Sequence, residues 1–144
     1  MVCVDFNSTT AYGRRSMVIE QIVIQYHKRH TTMRIKGFLL NVPSLRVDGM
    51  ALFPFILSKR KSPSEVFLNH ERIHLKQQLE LGLVIFYVWY VVEYLIRYVQ
   101  FGNHYLAYLH ISFEREAYTH ERDLGYLRKR RFCAWWKYLR KRNF

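Results

Sequence analysis

Among the 144 residues, His70-Glu71-Arg72-Ile73-His74 is the stretch best equipped for chemistry. On a helix, residues four apart lie about 40° apart around the axis and one turn along it, so His70 and His74 can offer imidazoles to one point. That is two ligands of a tetrahedral zinc site. Glu71 sits beside His74 around the helix and can reach a water at such a site without being a ligand itself. Zinc lowers the pKa of that water to about 7, and a carboxylate can then take its proton. Phe67, His70, His74, Gln78 and Leu81 follow three-and-four spacing, which turns both histidines inward. The competing reading is a solvated helix in which Arg72 and Lys76 alternate with ordinary histidines.

A third protein ligand is required, and "SFEREAYTHERD" offers Glu114, Glu116 and Glu121. Glu114, in the first turn of the helix expected there, is best placed to be fixed. Acids at a helix start are also favoured by its dipole, with Arg128 to Arg131 balancing the other end, so spacing alone does not choose.

H-E-x-x-H followed on a later helix by E-x-x-A, here Glu114-Arg115-Glu116-Ala117, resembles the gluzincin metallopeptidases. The resemblance implies that His70, His74 and Glu114 hold Zn2+, with Glu71 as general base and Glu116 as the alternative ligand. It departs at Tyr118, where the family usually has Asp to steady a ligand histidine; a tyrosine hydroxyl is the substitute on offer. The pattern H-E-x-x-H-x-x-Q, which places Gln77 beside the ligands, together with F-E-R-E-A, also looks like that of small bacterial proteins over Gly49 to Asp123. Membrane-embedded antirepressor-type and prenyl-protein-processing peptidases likewise set H-E-x-x-H beside apolar helices. The function implied is zinc-dependent amide hydrolysis of a peptide or protein; the rival is a non-catalytic membrane-associated protein on the same skeleton.

The elements that must position these residues follow from local signals. The expected fold is α+β, mainly α. Met33 to Leu57, with Gly37, Pro43, Asp48-Gly49 and Pro54, fits two or three short strands, Pro54 lying at an edge or bulge. Ser62, Pro63 and Glu65 form a capping box for a helix from about Pro63 to Leu81. Gly82 to Phe101 reads as a very apolar second helix ended by Gly102-Asn103. A third should start with Ser112 as N-cap and run through "FEREAYTHERDLGYLRKRR", after which a basic, aromatic piece closes the chain. Residues 1–32 read as an N-terminal arm, 33–131 as the domain, and 132–144 as a basic aromatic tail.

Half the residues are hydrophobic and 17% aromatic, so the chain should fold despite a formal charge of +12. That charge predicts an anionic partner, membrane surface or nucleic acid. Helix-turn-helix, zinc-finger and aromatic RNA-binding patterns are missing, which disfavours nucleic acid, although Trp135, Trp136 and Tyr138 among Lys and Arg would suit a single strand as well as a membrane interface. Leu83 to Val92 is too short to span a bilayer, and extension to Phe101 takes in Glu93 and Arg97. Leu83–Phe101 is therefore a candidate membrane segment or one arm of a helical hairpin core, and shallow association with an anionic cytoplasmic leaflet is the favoured expectation. The start of the chain does not read as a secretory signal peptide, so a cytoplasmic location is expected. Cys3 and Cys133, far apart and outside any C-x-x-C pattern, are expected as free thiols.

Overall fold

Ser64 begins the first long helix. Its extended backbone (φ −68°, ψ 156°) aims its hydroxyl at the end of the helix, and Phe67 N donates to it at 3.2 Å. Ser62 therefore is not the cap that the S-x-x-E spacing predicts, and Pro63 precedes the helix instead of opening it. The computed structural model describes residues 37–140, which lie within one compact unit. The N-terminal arm expected over 1–32, with Cys3, falls outside them. The elements in chain order are β1 (Phe38–Asn41), β2 (Gly49–Leu52), β3 (Phe55–Ser58), α1 (Glu65–Leu81), α2 (Leu83–Phe101), α3 (His104–Leu109), α4 (Ser112–His120), α5 (Tyr126–Lys129) and α6 (Trp136–Arg140).

The chain is thus α+β and mainly helical, with three short strands in the order β1-β3-β2. β1 runs parallel to β3 and β2 antiparallel to it, with Ala51 opposite Ile56. Pro54 lies in the turn between β2 and β3, where its missing N–H costs no ladder bond. Ala51, Ile56 and Leu75 seal the sheet onto α1. β2 approaches α1 so closely that a Cβ at Gly49 would stand 2.1 Å from Phe67 Cζ, so only glycine fits there. Gln78 locks the same contact: its Nε2 donates to Ala51 O (2.9 Å) and its Oε1 accepts from Phe53 N (2.8 Å).

The helical end departs from the sequence reading in three places. Ile111, not Ser112, occupies the N-cap position of α4, and Ser112 turns its N–H and hydroxyl to Glu93 on α2 instead (3.0 and 2.6 Å). α4 stops at His120. Asn69 on α1 donates to the carbonyl oxygens of His120, Glu121 and Asp123, holding the chain in a turn there, and α5 restarts from Gly125. The short α3, capped by Asn103 Oδ1 accepting from Leu106 N, has no counterpart in the expected elements. The stretch expected as a tail also packs: Trp135 and Tyr138 are buried, the Trp135 ring packs tilted against Phe113 with centroids 4.8 Å apart, and Arg115 donates to Tyr138 O.

Under α1 and α4 lies an ion-pair network. Arg130 donates to Glu80 at the end of α1 and, through Nε and Nη2, to both oxygens of Glu116 on α4; Tyr126 OH adds a fourth bond at 2.7 Å. All three charged side chains are almost fully buried. Removing one member of a buried set leaves the others uncompensated. Arg130→Met should accordingly lower unfolding free energy by about 3–5 kcal/mol in chemical denaturation. A loss below about 1 kcal/mol, the range of an exposed pair, would show that the network does not hold α1 to α4.

Candidate metal centre

α1 turns an unusually polar face inward: Asn69, His70, Glu71, His74, Gln77 and Gln78 are all buried. Buried polar groups cost free energy unless each finds a partner. His74 Nδ1 lies 2.8 Å from Gln77 Oε1, one turn along. His70 Nδ1 lies 3.0 Å from Glu121 Oε2, delivered by the turn that Asn69 holds. An amide carbonyl and a carboxylate both accept, so each imidazole carries hydrogen on Nδ1.

The two Nε2 atoms then face each other at 3.1 Å. Glu114 closes the triangle, with Oε2 3.5 Å from His70 Nε2 and Oε1 3.4 Å from His74 Nε2. Tyr90 OH donates to Oε1 at 2.9 Å, whereas Oε2 is buried with no hydrogen-bond partner. Three acceptor groups converging in a buried place need a cation. Ligands about 2.0–2.2 Å from a tetrahedral metal stand about 3.3–3.6 Å from one another; the two histidine–carboxylate distances fall in that range, each to a different oxygen of Glu114, and the two Nε2 atoms are slightly closer together. The buried His70, His74 and Glu114 group can hold a metal ion.

Protons show the same demand. Burial opposes a charged His74, but the Glu114 carboxylate, with help from Glu71 and Gln77, outweighs it and lifts the imidazole to about 9. Burial likewise opposes charge on Glu114, yet His74 and His70 hold its carboxyl below the ordinary range. Glu71 differs. Burial raises its pKa, and the pull of His74 and His70 together with a hydrogen bond from the Ala51 backbone only partly offsets this. A carboxylate raised toward neutrality beside a cation site is suited to taking up a proton.

The site opens into a cavity of about 750 Å3, walled by Gly49, Met50 and Ala51 of β2, by α1, and by Tyr87 and Tyr90 of α2. Tyr108 and Tyr118 meet over it, hydroxyl to hydroxyl at 3.3 Å.

The structure gathers His70, Glu71, His74 and Glu114 in one place, with Gln77 behind His74 as the H-x-x-Q spacing suggests. It sets two expected residues elsewhere. Glu116 points away from the histidines and is taken up by Arg130, Tyr126 and Gln77 Nε2 (3.1 Å), so it supports His74 at one remove and is not placed to be a ligand. Tyr118 makes no hydrogen bond to an imidazole; its ring packs edge-on against His70, centroids 4.7 Å apart. The partner of His70 expected at Tyr118 is instead Glu121, three residues later. One signal for that was present: Glu114 and Glu121 are seven apart, which on a helix puts them on the same side. Gln78 and Asn69, which position β2 and the Glu121 turn, left no such signal, since the backbone groups they hold there lie at least 25 residues away.

Comparison with protein-family models, with curated proteins and with solved structures finds no match. The centre is therefore defined by its geometry, and the support behind the ligands is its most testable part. Glu121→Ala should weaken metal affinity about 10–100-fold in competition against a metal buffer, as loss of a carboxylate behind a ligand histidine does. Tyr118→Phe, which keeps the ring contact, should leave affinity unchanged; the reverse pattern would transfer the supporting role to Tyr118.

Proposed function

We propose that this protein is a zinc-dependent hydrolase of amide bonds, built like the gluzincin peptidases its motifs resemble. The observation that carries the reading is the convergence of His70 Nε2, His74 Nε2 and Glu114 beside a buried Glu71 at the floor of an open cavity. Two imidazoles and one carboxylate are a donor set that suits zinc and leaves a position for water or substrate. Zinc, when bound, supplies a Lewis acid that polarises a carbonyl and acidifies water.

The remaining work falls to the chain. His70 and His74 would be held in register by Glu121 and Gln77, and Tyr90 would fix the carboxylate plane of Glu114. Glu71 would take a proton from the attacking water and return it to the departing amine, both steps within the shelter of β2 and the tyrosines. The cavity is open and flanked by residues of β2, an edge strand, which suits an extended peptide better than a small molecule.

Elemental mass spectrometry of the purified protein should find about one zinc per chain, lost in the His70→Ala, His74→Ala double variant. Glu71→Gln should retain the metal while peptide cleavage, followed on a quenched-fluorescence peptide library, falls by at least about 100-fold. Zinc bound to the wild type with cleavage unchanged in Glu71→Gln would remove the base from Glu71. A folded wild type that takes up no metal would remove the reading altogether and favour the non-catalytic alternative.

A further inference from the structure

α2 is folded inside out. Its two charged residues, Glu93 and Arg97, point into the protein: Glu93 accepts from Ser112 N, Ser112 Oγ and Arg97, and Arg97 also donates to Leu139 O at 3.2 Å. The tyrosines at 87, 90, 94 and 98 line the same inner side and are half-buried. The outer side is apolar and bare. Val84 is 77% exposed and Val99 85%, with Ile85, Val88, Val92 and Leu95 between them about half exposed. At 100° per residue and 1.5 Å of rise these positions cover an arc of about 100° over a length of about 22 Å. No charged residue lies on that arc, and only 11% of the helix's most apolar window is buried. A patch of this size on a soluble surface marks an interaction site.

The helix is long and apolar enough to cross a membrane, but its neighbours argue against an upright orientation. α6 touches the middle of α2 at two points: Trp136 packs tilted against Trp89, centroids 6.4 Å apart, and Leu139 O accepts from Arg97. α6 carries Lys137 and Arg140, both exposed. With α2 upright, those two cations would sit at hydrocarbon depth, where charge is costly. With α2 lying flat, its outer arc meets the acyl chains while Trp136, Lys137 and Arg140 flank it at headgroup level, an amphipathic and basic pattern that binds anionic interfaces. A second copy of the chain fits less well, since it would bring two molecules of formal charge +12 together, whereas an anionic surface neutralises them.

We propose that the outer face of α2 is a lipid-docking surface on which the protein lies flat, embedded in one leaflet of an anionic bilayer without crossing it. The inference does not depend on the metal centre. The inner face of the same helix walls the cavity, so docking would place the cavity about one helix diameter from the lipid.

The test uses the full chain and vesicles of phosphatidylserine with phosphatidylcholine, against phosphatidylcholine alone. The wild type should float with the anionic vesicles. Val88→Glu with Leu95→Glu should cut binding more than tenfold while circular dichroism and melting stay as in the wild type, because both side chains are already exposed. Lys137→Gln and Arg140→Gln should each cost about fivefold on anionic vesicles only, the effect of about 1 kcal/mol per basic residue. Nitroxides at Ile85, Val92 and Val99, in a chain whose Cys3 and Cys133 are replaced by Ser, should report one shared shallow depth. A Val92 label much deeper than the other two would mean that α2 spans, and would overturn the proposal. Failure of a folded wild type to bind either vesicle would overturn it too, and would favour a second copy as the occupant of the face.

Discussion

Two imidazole nitrogens and a carboxylate oxygen that all present lone pairs to one buried point repel one another unless a cation sits among them, and much of this fold is arranged to keep them there. His70 and His74 are prevented from turning away because their other nitrogens are held by Glu121 and Gln77. Glu114 cannot swing out because Tyr90 holds one oxygen. Its second oxygen is buried without a hydrogen bond, only His70 Nε2 standing 3.5 Å away, which inside a protein is tolerable where a proton or a metal ion serves. The cluster is therefore arranged around a positive charge, which either a proton on His74 or a bound metal ion would supply.

Holding that arrangement requires polar material in the interior, and the rest of the small domain supplies it with partners. Gln77 reaches from His74 to Glu116, Glu116 to Arg130, and Arg130 to Glu80, so a line of hydrogen bonds runs from the ligand back to the end of the same helix. The apolar contribution is divided among three modest clusters around Ile56, Phe113 and Ile73, none of which includes the metal ligands. Position, more than bulk, is what these contacts provide: the Phe113 group seats α4 and thereby Glu114, and the Ile56 group seats β2 at the rim of the cavity.

What could be read from the sequence was what depends on neighbours along the chain. The period of α1 turned His70 and His74 inward, the resemblance pointed to Gln77, and the apolar run expected to be helical from Gly82 to Phe101 differs only at Gly82, which is the N-cap. The third ligand was out of reach of spacing, because Glu114 and Glu116 both lie near the start of α4 and only tertiary partners separate them. Arg130 claims one, and the histidines claim the other. Glu121 was legible as an acid near the site but not as the group behind His70, since its place depends on Asn69, 52 residues away, holding the carbonyl of Glu121 itself. The expected tail shows the same limit. Its basic residues were visible, but whether Trp135 and Tyr138 would be buried depended on Phe113 and Arg115 lying opposite them.

The inversion of α2 joins these observations. A hydrophobic run broken by a Glu and an Arg four residues apart reads equally as a poor membrane span or as a core helix, because composition does not say on which side the charges fall. Position does: Glu93 and Arg97 share a face with the tyrosines at 90, 94 and 98, so one side of the helix is polar and the other wholly apolar. A water-soluble helix turns its polar side outward. Here the polar side is taken up by Ser112, Glu114 and the α6 backbone, all of which the metal centre or its scaffold needs. Serving the site with that face leaves only the apolar face for the surroundings, and the bare stripe along α2 follows directly from how the centre is built.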